Sequence, residues 1–403
     1  MRILWVKADG LWPPNTGGRL RSFHILAELA RRHEVTVATT HGPGEDPGAL
    51  AAALPPGSRV VAVPHAPPRR GSVGFAAAAL GARLSSQPLH YRRWRVPHLR
   101  RMVAGLIASG EIDLCVADFL KAMPNVPIPG PVPTILFAHN AEHVIWQRLS
   151  QVQTRRWRRA ALAREGVRVR AWEAEACGTV RLTVAVSEAD REILAAINPC
   201  ARIRAIPTGV DTAYFAPHPA RETADRLVFT GSMDWHPNED AMLYFIETIL
   251  PLIRREVPGA ALTIAGRNPS ARLRAAAAPS GVHVTGTVED VRPYVAEAAV
   301  YVIPLRVGGG TRLKLFEALA MGKAVVATTV GAEGLPLAPG RHFLRADAPG
   351  EFARAVTGLL RDQAGREALG AAGRRLVEER FSWSHAASAF EACCAEVLEH
   401  HAD

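Results

Sequence analysis

The chain has 403 residues, of which 48% are hydrophobic and 21% charged, a balance that excludes disordered and fibrous proteins and predicts two large globular domains. The net charge of +10 is uneven, because residues 1–210 carry 28 Lys and Arg against 15 Asp and Glu, whereas residues 211–403 carry 20 against 23. No apolar run approaches the ~18 residues of a membrane span. Charges at Lys7 and Asp9 interrupt any signal-peptide core, so we expect a cytoplasmic protein.

Short apolar runs alternate with helical patterns in the first half of the chain. The predicted strands of this half are residues 3–6, 35–39, 59–63, 114–117, 134–137 and 183–186. A loop over residues 12–18 follows the first strand, and a helix with apolar positions at Phe23, Leu26 and Ala30 follows the loop. Strand, helix and strand in succession require a parallel sheet. Residues 1–212 are therefore predicted to form a doubly wound, Rossmann-like domain.

The same alternation restarts at Leu227. The predicted strands of the second half are residues 227–231, 262–266, 282–286, 300–303 and 324–328. Residues 213–226 are rich in Pro and Ala and lack apolar periodicity, which predicts a linker before a second Rossmann-like domain over 227–383. A C-terminal helix over 384–403 is predicted to pack back on the first domain. The fold class is thus α/β, with two doubly wound parallel-sheet domains facing a cleft, where the ligands of such sheets bind.

A glycine turn after the predicted strand at 300–303 is the most informative segment. Gly308–Gly310 and the candidate N-cap Thr311 precede a helix with an apolar face, and backbone N–H groups at such a helix start bind phosphate. Arg312 and Lys314 oppose the helix dipole unless an anion is bound. Glu317 is a candidate acceptor for ribose hydroxyls. The alternative is a solvated helix start with a Lys314–Glu317 surface pair.

His139 follows the buried strand at 134–137, where a histidine is suited to hydrogen-bonding or proton transfer with a polar substrate. His143 and Glu142 lie close by in sequence, but no third metal ligand is evident, and no metal site is predicted. The alternative is a histidine that hydrogen-bonds locally at a strand end.

Other glycines give weaker signals. Gly17 and Gly18 follow the first strand without the G-x-G-x-x-G pattern of dinucleotide sites, so NAD is only weakly supported. Gly231, Gly266 and Arg267 stand at strand ends of the second half and are candidates for a nucleotide pocket. Helix caps and turns would have a similar composition.

Two arginine–aromatic runs, at 90–95 and 155–170, hold most of the positive charge of the first half. They favour an anionic membrane surface or a polyanionic glycan as partner, whereas no nucleic-acid-binding pattern is present. A solvated, highly charged face remains the alternative.

Taken together, these motifs resemble the retaining glycosyltransferases of the GT-B fold known as group 1 or family four, and especially the branch from bacterial exopolysaccharide clusters. The most specific block is Phe316–Thr328. The other segments that carry the resemblance are the Gly17–Gly18 loop, 138–140, 186–190, 207–211, 229–238, 264–267 and 310–315.

The resemblance implies a hexosyltransferase without cofactor or metal. It would move a sugar from a nucleotide sugar to a lipid-linked or polysaccharide acceptor with retention, in exopolysaccharide or cell-envelope glycan synthesis. It implies that Glu317 binds the donor ribose, that His139 contacts the donor sugar, and that the Gly17–Gly18 loop faces the diphosphate. Such an enzyme is expected in the cytoplasm, at the inner face of the plasma membrane.

Two positions depart from the family pattern. The family usually has a second glutamate eight positions before Glu317, where this chain has Gly309. The family's Arg and Lys after the first strand of the second domain are absent from residues 231–240. Arg312 and Lys314, with the backbone near Gly310, are therefore predicted to neutralise the diphosphate. The alternatives are a nucleotide-sugar 2-epimerase and a non-catalytic protein that binds membranes or glycans.

Overall fold

The structure, a computed structural model, describes residues 1–14, 16–69, 71–85, 87–153, 155–218, 222–307 and 313–402. The chain divides into unit 1, which is Met1–Thr208 with Trp383–Asp403, and unit 2, which is Gly209–Ser382. The predicted limits 1–212, 213–226, 227–383 and 384–403 stay predictions. The first strand of unit 2 is Thr223–Thr230, so it begins inside the segment predicted as a linker.

Each unit contains one fully parallel sheet. The strands of unit 1 are β1 (Arg2–Lys7), β2 (Glu34–His41), β3 (Arg59–Pro64), β4 (Leu114–Asp118), β5 (Thr134–Phe137), β6 (Leu182–Ala185) and β7 (Ile203–Ala205), in the order β3-β2-β1-β4-β5-β6-β7. The strands of unit 2 are β8 (Thr223–Thr230), β9 (Ala261–Ala265), β10 (His283–Gly286), β11 (Ala298–Ile303), β12 (Ala324–Ala327) and β13 (Leu344–Arg345), in the order β10-β9-β8-β11-β12-β13. The predicted α/β class with two doubly wound parallel sheets is confirmed.

Most of the helices connect successive strands, and the last three follow the last strand. The helices are α1 (Gly17–Ala30), α2 (Pro47–Ala53), α3 (Val73–Arg83), α4 (Leu89–Arg92), α5 (Pro97–Ala108), α6 (Glu142–Val152), α7 (Arg156–Thr179), α8 (Glu188–Ile197), α9 (His236–Tyr244), α10 (Leu250–Glu256), α11 (Ala271–Ala277), α12 (Arg292–Glu297), α13 (Leu313–Ala320), α14 (Pro349–Arg361), α15 (Gln363–Arg380) and α16 (Trp383–Ala402). Throughout the described ranges, no helix is long and apolar enough to cross a membrane.

Buried strands hold both units together. In unit 1 the two faces of the sheet are covered by separate apolar clusters, one of which includes α16. Its Phe390 packs on Trp5 and Phe137, with ring centroids 5.5 Å and 5.1 Å away. Because α1 and α16 cover this face of β1, the polar groups that follow β1 lie at the edge of a rigid core.

The first helix corrects one prediction. The loop predicted over residues 12–18 includes Gly17 and Gly18. Instead, α1 begins at Gly17, and the Thr16 hydroxyl caps it by accepting from the Arg19 N–H. Any Cβ at Gly18 would lie 2.4 Å from Cζ of Phe119, so close packing requires glycine there.

Candidate active site

Three charged or polar side chains converge at the switch point of the unit 1 sheet, where the strand order reverses between β1 and β4. Lys7 ends β1, Asp118 ends β4 and His139 follows β5, and these three strands are neighbours. All three side chains are buried. Parallel α/β sheets bind ligands beyond the carboxyl ends of their strands at such a point. This geometry makes the cluster a candidate site.

Asp118 is the centre of this cluster. Its Oδ1 lies 2.9 Å from Nε2 of His139, and its Oδ2 accepts a hydrogen bond of 2.9 Å from Nε1 of Trp5. Nζ of Lys7 lies 3.4 Å from the same Oδ2 and 3.3 Å from Oδ1 of Asp9. Burial would raise the pKa of Asp118, but the Lys7 charge and the His139 hydrogen bond lower it below its ordinary value. The carboxylate is therefore ionised near neutral pH.

His139 is held in one orientation and one protonation state. The Phe119 ring stacks on its imidazole at a centroid distance of 3.8 Å with parallel planes. Burial lowers the pKa of His139, and the charges of Lys7 and Arg21 add to that effect, against the opposing effect of Asp118. Because the ionised Asp118 can only accept, Nε2 of His139 carries the proton and Nδ1 keeps its lone pair.

His143 and Glu142, considered for a metal, have other roles. Nδ1 of His143 lies 2.5 Å from Oε2 of Glu173, and the other oxygen of Glu173 accepts from the backbone N–H of Glu142. Burial raises the pKa of Glu142 to about 6, although the hydrogen bond from the Tyr91 hydroxyl lowers it. No group of three or more His, Cys, Asp or Glu that could hold a metal occurs among the described residues.

In unit 2 the corresponding switch point lies between β8 and β11, and the backbone there is tightly packed. Gly231 follows β8 with a φ of +152°, and Gly266 follows β9. An added Cβ at Gly266 would lie 1.8 Å from the carbonyl oxygen of Gly231, so backbone packing requires glycine there. An added Cβ at Gly231 would lie 2.7 Å from Nζ of Lys314, a side-chain end that can move, and it is the φ of +152° that favours glycine at this position.

Lys314 extends from the first described turn of α13 to the ends of β8 and α9. Its Nζ donates a hydrogen bond of 2.8 Å to Oδ1 of Asn238 and lies 3.9 Å from the ring centroid of Phe229. The amide of Asn238 in turn donates to the carbonyl of Ser232. These contacts hold the ammonium group of Lys314 beside Gly231, which the alternative of a solvated Lys314–Glu317 surface pair did not include.

Glu317 lies on the same helix and is partly buried. Burial raises the pKa of Glu317 to about 7, although the nearby Lys314 charge lowers it. Burial and the charge of Glu317 also raise the pKa of Tyr301, whose oxygen lies 2.5 Å from Oγ1 of Thr230. Glu317 thus titrates near neutral pH within reach of the electrostatic field of Lys314.

Arg267 follows β9, and its Nε donates a 2.6 Å hydrogen bond to the Ser232 hydroxyl in the Gly231 loop. The structure therefore brings Gly231, Gly266, Arg267 and Lys314 to one edge of the unit 2 sheet. The other predicted residues of this site, Gly309, Gly310, Thr311 and Arg312, lie outside the described residues.

Two family descriptions match successive parts of the chain. Residues 16–214 match the family described as Glycosyltransferase Family 4, and residues 224–362 match Glycosyl transferases group 1. The chain belongs to the group 1, family 4 glycosyltransferases. The predicted family membership is thereby confirmed.

Curated relatives of this chain include two mycobacterial enzymes, each named GDP-mannose-dependent alpha-(1-6)-phosphatidylinositol monomannoside mannosyltransferase. The one from Mycobacterium tuberculosis is 31% identical over 231 residues, which are 51% of this chain and 59% of the relative. The one from Mycolicibacterium smegmatis is 30% identical over 213 residues, which are 47% of this chain and 55% of the relative. The chain thus aligns with somewhat more than half the length of these relatives.

Solved structures similar to this chain show its fold. Sucrose-phosphate synthase from Thermosynechococcus elongatus matches with a TM-score of 0.72 and 16% identity, over 99% of this chain and 100% of that one. Anabaena HepE in complex with UDP matches with a TM-score of 0.66 and 15% identity, over 98% and 100%. WaaG, a glycosyltransferase involved in lipopolysaccharide biosynthesis, matches with a TM-score of 0.65 and 14% identity, over 96% of this chain and 98% of that one. The predicted GT-B fold is confirmed.

The pairings at the two switch points were not predicted from the sequence. Asp118 ends an apolar run and was not singled out, and Asn238 lies in the segment 229–238 without being assigned a partner. A buried charge at a strand end is a usable signal for Asp118, since aspartate is almost never fully buried unless it is paired. Asn238 carries no comparable signal, because its partner Lys314 lies 76 positions away in the sequence.

Proposed function

We propose that this protein transfers a sugar from a nucleotide sugar to a lipid-linked or polysaccharide acceptor, with retention and without a metal ion. The observation that carries the proposal is the ammonium group of Lys314, held against the Gly231 loop at the switch point of the unit 2 sheet. A positive charge at that place in a parallel α/β sheet is suited to a nucleoside diphosphate. The solved complex of HepE with UDP supports the same class of donor.

The donor contacts that we propose follow from the chemistry of each group. Lys314, with Arg312 and the backbone at Gly309, Gly310 and Thr311, neutralises the diphosphate. Glu317 accepts hydrogen bonds from the ribose hydroxyls, and Arg267, with the backbone at Gly231 and Gly266, borders the nucleotide. Departure of the diphosphate is the step whose barrier must be lowered, and fixed positive groups stabilise the negative charge that develops on the diphosphate.

In unit 1, we propose that His139 contacts the transferred sugar through Nδ1. The neutral imidazole accepts a hydrogen bond from a sugar hydroxyl at Nδ1, while Asp118 retains the proton on Nε2. Asp118 thus acts as a positioning residue, and the stacked Phe119 ring fixes the imidazole plane. The N-terminus of α1, at Gly17 and Gly18, offers backbone N–H groups to the diphosphate.

We also propose that transfer needs no metal ion and that the protein binds an anionic membrane surface. Lys314 and Arg312 are assigned to the diphosphate charge that Mg²⁺ would otherwise neutralise, and Glu317, the one carboxylate assigned to the donor, is assigned to the ribose. The exposed beginning of α7 carries Arg155, Arg156, Arg158 and Arg159 around Trp157, which is 66% exposed. Such a surface attracts anionic lipid headgroups, consistent with an acceptor made at the inner face of the membrane.

The pH dependence of nucleotide binding tests this assignment. As the pH rises through about 7, Glu317 becomes ionised and accepts ribose hydroxyls more strongly. We expect the affinity for a nucleoside diphosphate to rise about tenfold more between pH 6 and 8 in the wild-type protein than in Glu317→Gln. Calorimetric titration of both proteins measures this, and the variant corrects for titration of the diphosphate itself.

A second readout comes from the proteins without ligand. The folded-state pKa of Glu317 lies above the ordinary 4.5, so its stabilising contribution is present at low pH and is lost as the pH rises through about 7. Between pH 5 and 8, the melting temperature of the wild-type protein should fall further than that of Glu317→Gln. Identical pH profiles of nucleotide affinity in both proteins would exclude Glu317 from the nucleotide site.

A further inference from the structure

An open pocket of unit 1 lies outside the residues assigned above. It has a volume of about 370 Å³ and is bordered by α4, α5, the segment after β4 and the second half of α7. Three of its lining residues are arginines, Arg92, Arg95 and Arg100, and a single acidic residue, Glu175, lines it with them. The arginine–aromatic run at residues 90–95, which the proposed donor chemistry does not use, thus contributes to a defined cavity.

The arginines concentrate positive charge at this pocket. Arg95 and Arg100 are exposed, and among the residues that the structure describes neither of them forms an ion pair. Within the same ranges, the side chain of Arg92 donates a hydrogen bond to the hydroxyl of Ser85. Arg100 lies in the first turn of α5, where a cation opposes the helix dipole. Burial and the charges of Arg100 and Arg92 lower the pKa of Arg95. An anion bound among the three guanidinium groups would offset their mutual repulsion.

A buried donor in the wall of the same pocket is an independent observation. Trp172 of α7 is 9% exposed, and its Nε1–H has no hydrogen-bond partner among the residues that the structure describes. An indole N–H that is buried without a partner is costly, and most such groups in folded proteins are paired. A ligand with acceptor oxygens would satisfy it.

Part of the remaining wall is apolar, although the polar residues Ser85, Gln87 and Thr179 also line the pocket. Met123, Pro124, Val126 and Ile128 supply this apolar surface. The first three directly follow the segment of Phe119 and Lys121, and Lys121 forms an ion pair of 3.2 Å with Asp9. Arg95 is also close to this segment, because its neighbour Trp94 packs on Nζ of Lys121 at 5.5 Å. The pocket and the switch point of unit 1 therefore share one stretch of chain.

We propose that this pocket binds the phosphate group of an acceptor whose phosphate is attached to an apolar chain. The guanidinium groups and the Trp172 N–H hold the phosphate oxygens, and the apolar wall contacts the first part of the chain. This inference rests on the proposed function, since it names the class of acceptor that receives the sugar.

Calorimetric titration of the full chain with geranyl phosphate, inorganic phosphate and geraniol tests the proposal. Geranyl phosphate should bind at least about tenfold more tightly than either of its halves, because it alone engages both surfaces. The double variant Arg95→Gln/Arg100→Gln should weaken geranyl phosphate binding about ten- to hundredfold. Trp172→Phe, which keeps the apolar ring and removes the N–H, should weaken it less.

The matched control is Arg155→Gln/Arg156→Gln, which removes the same charge from the exposed start of α7. It should leave the affinity for geranyl phosphate within about twofold of wild type. Equal loss in both double variants, equal binding of phosphate and geranyl phosphate, or no binding of geranyl phosphate would each overturn the proposal. Binding of a nucleoside diphosphate, measured on the same proteins, should be unchanged in both double variants. If wild-type protein did not bind a nucleoside diphosphate, this result would contradict the proposed function but not the proposal about the pocket.

Discussion

Asp118→Asn is expected to lower the free energy of unfolding by about 3 to 5 kcal/mol, the cost of leaving a buried charge without its partner. Lys7 is fully buried, and the substitution leaves it with Asp9 alone at 3.3 Å. The carboxamide also has a single acceptor oxygen, so it can no longer accept hydrogen bonds from Trp5 and His139 on two separate ionised oxygens. Urea denaturation at pH 7 measures the effect.

Asp113→Asn is the matched control, because Asp113 precedes the same strand and pairs with Arg2 at a partly exposed position. It should cost about 1 kcal/mol or less. The double variant Asp118→Asn/Lys7→Met should lower the free energy of unfolding by clearly less than the sum of the two single effects. Each single change leaves the other buried charge without its partner, whereas the double change removes both charges. Strict additivity would show that the two groups do not depend on each other, and would contradict the described cluster.

Lys314→Gln is expected to weaken binding of a nucleoside diphosphate about ten- to hundredfold, which corresponds to loss of one charge-assisted contact worth about 1.5 to 3 kcal/mol. Transfer should slow further still, because negative charge on the diphosphate grows toward the transition state. The ligand-free protein should lose about 1 kcal/mol, since the contacts with Asn238 and Phe229 disappear. Calorimetry and thermal unfolding give the two quantities.

Arg272→Gln removes the same charge from an exposed position of α11 and serves as the control. It should leave both nucleotide affinity and melting temperature nearly unchanged. If Lys314→Gln loses stability but binds the diphosphate like wild type, Lys314 has a structural role only. The phosphate assignment of α13 would then be abandoned.

The architecture could be predicted from the sequence because buried parallel strands are continuous apolar runs. The run Leu114–Ala117 located β4, and the run Thr134–Phe137 located β5. The short edge strands β7 and β13 were missed, since neither forms a buried apolar run. Local preference also misplaced the start of α1, where the contact between Gly18 and Phe119 outweighs the weak helix propensity of glycine.

The site could be predicted only in part, for a physical reason. His139 and Lys314 were predicted as site residues from their places after a strand and at a helix start, and these assignments stay predictions. Their partners Asp118 and Asn238 were not predicted as such, because these pairings depend on the order of strands in the sheet rather than on spacing along the chain. The pocket around Arg95 likewise joins segments separated in sequence, and the arginine-rich run alone gave no indication of a cavity.

Transfer of a labelled sugar tests the proposed activity itself. The full chain would be incubated in EDTA with a set of radiolabelled nucleotide sugars and a glycolipid extract from bacterial envelopes. We expect label from at least one nucleotide sugar to enter the lipid or polymer fraction, with release of an equal amount of nucleoside diphosphate. We also expect Lys314→Gln to slow this transfer. Folded wild-type protein that transfers label from none of the nucleotide sugars, with or without added divalent metal, would contradict the proposed function.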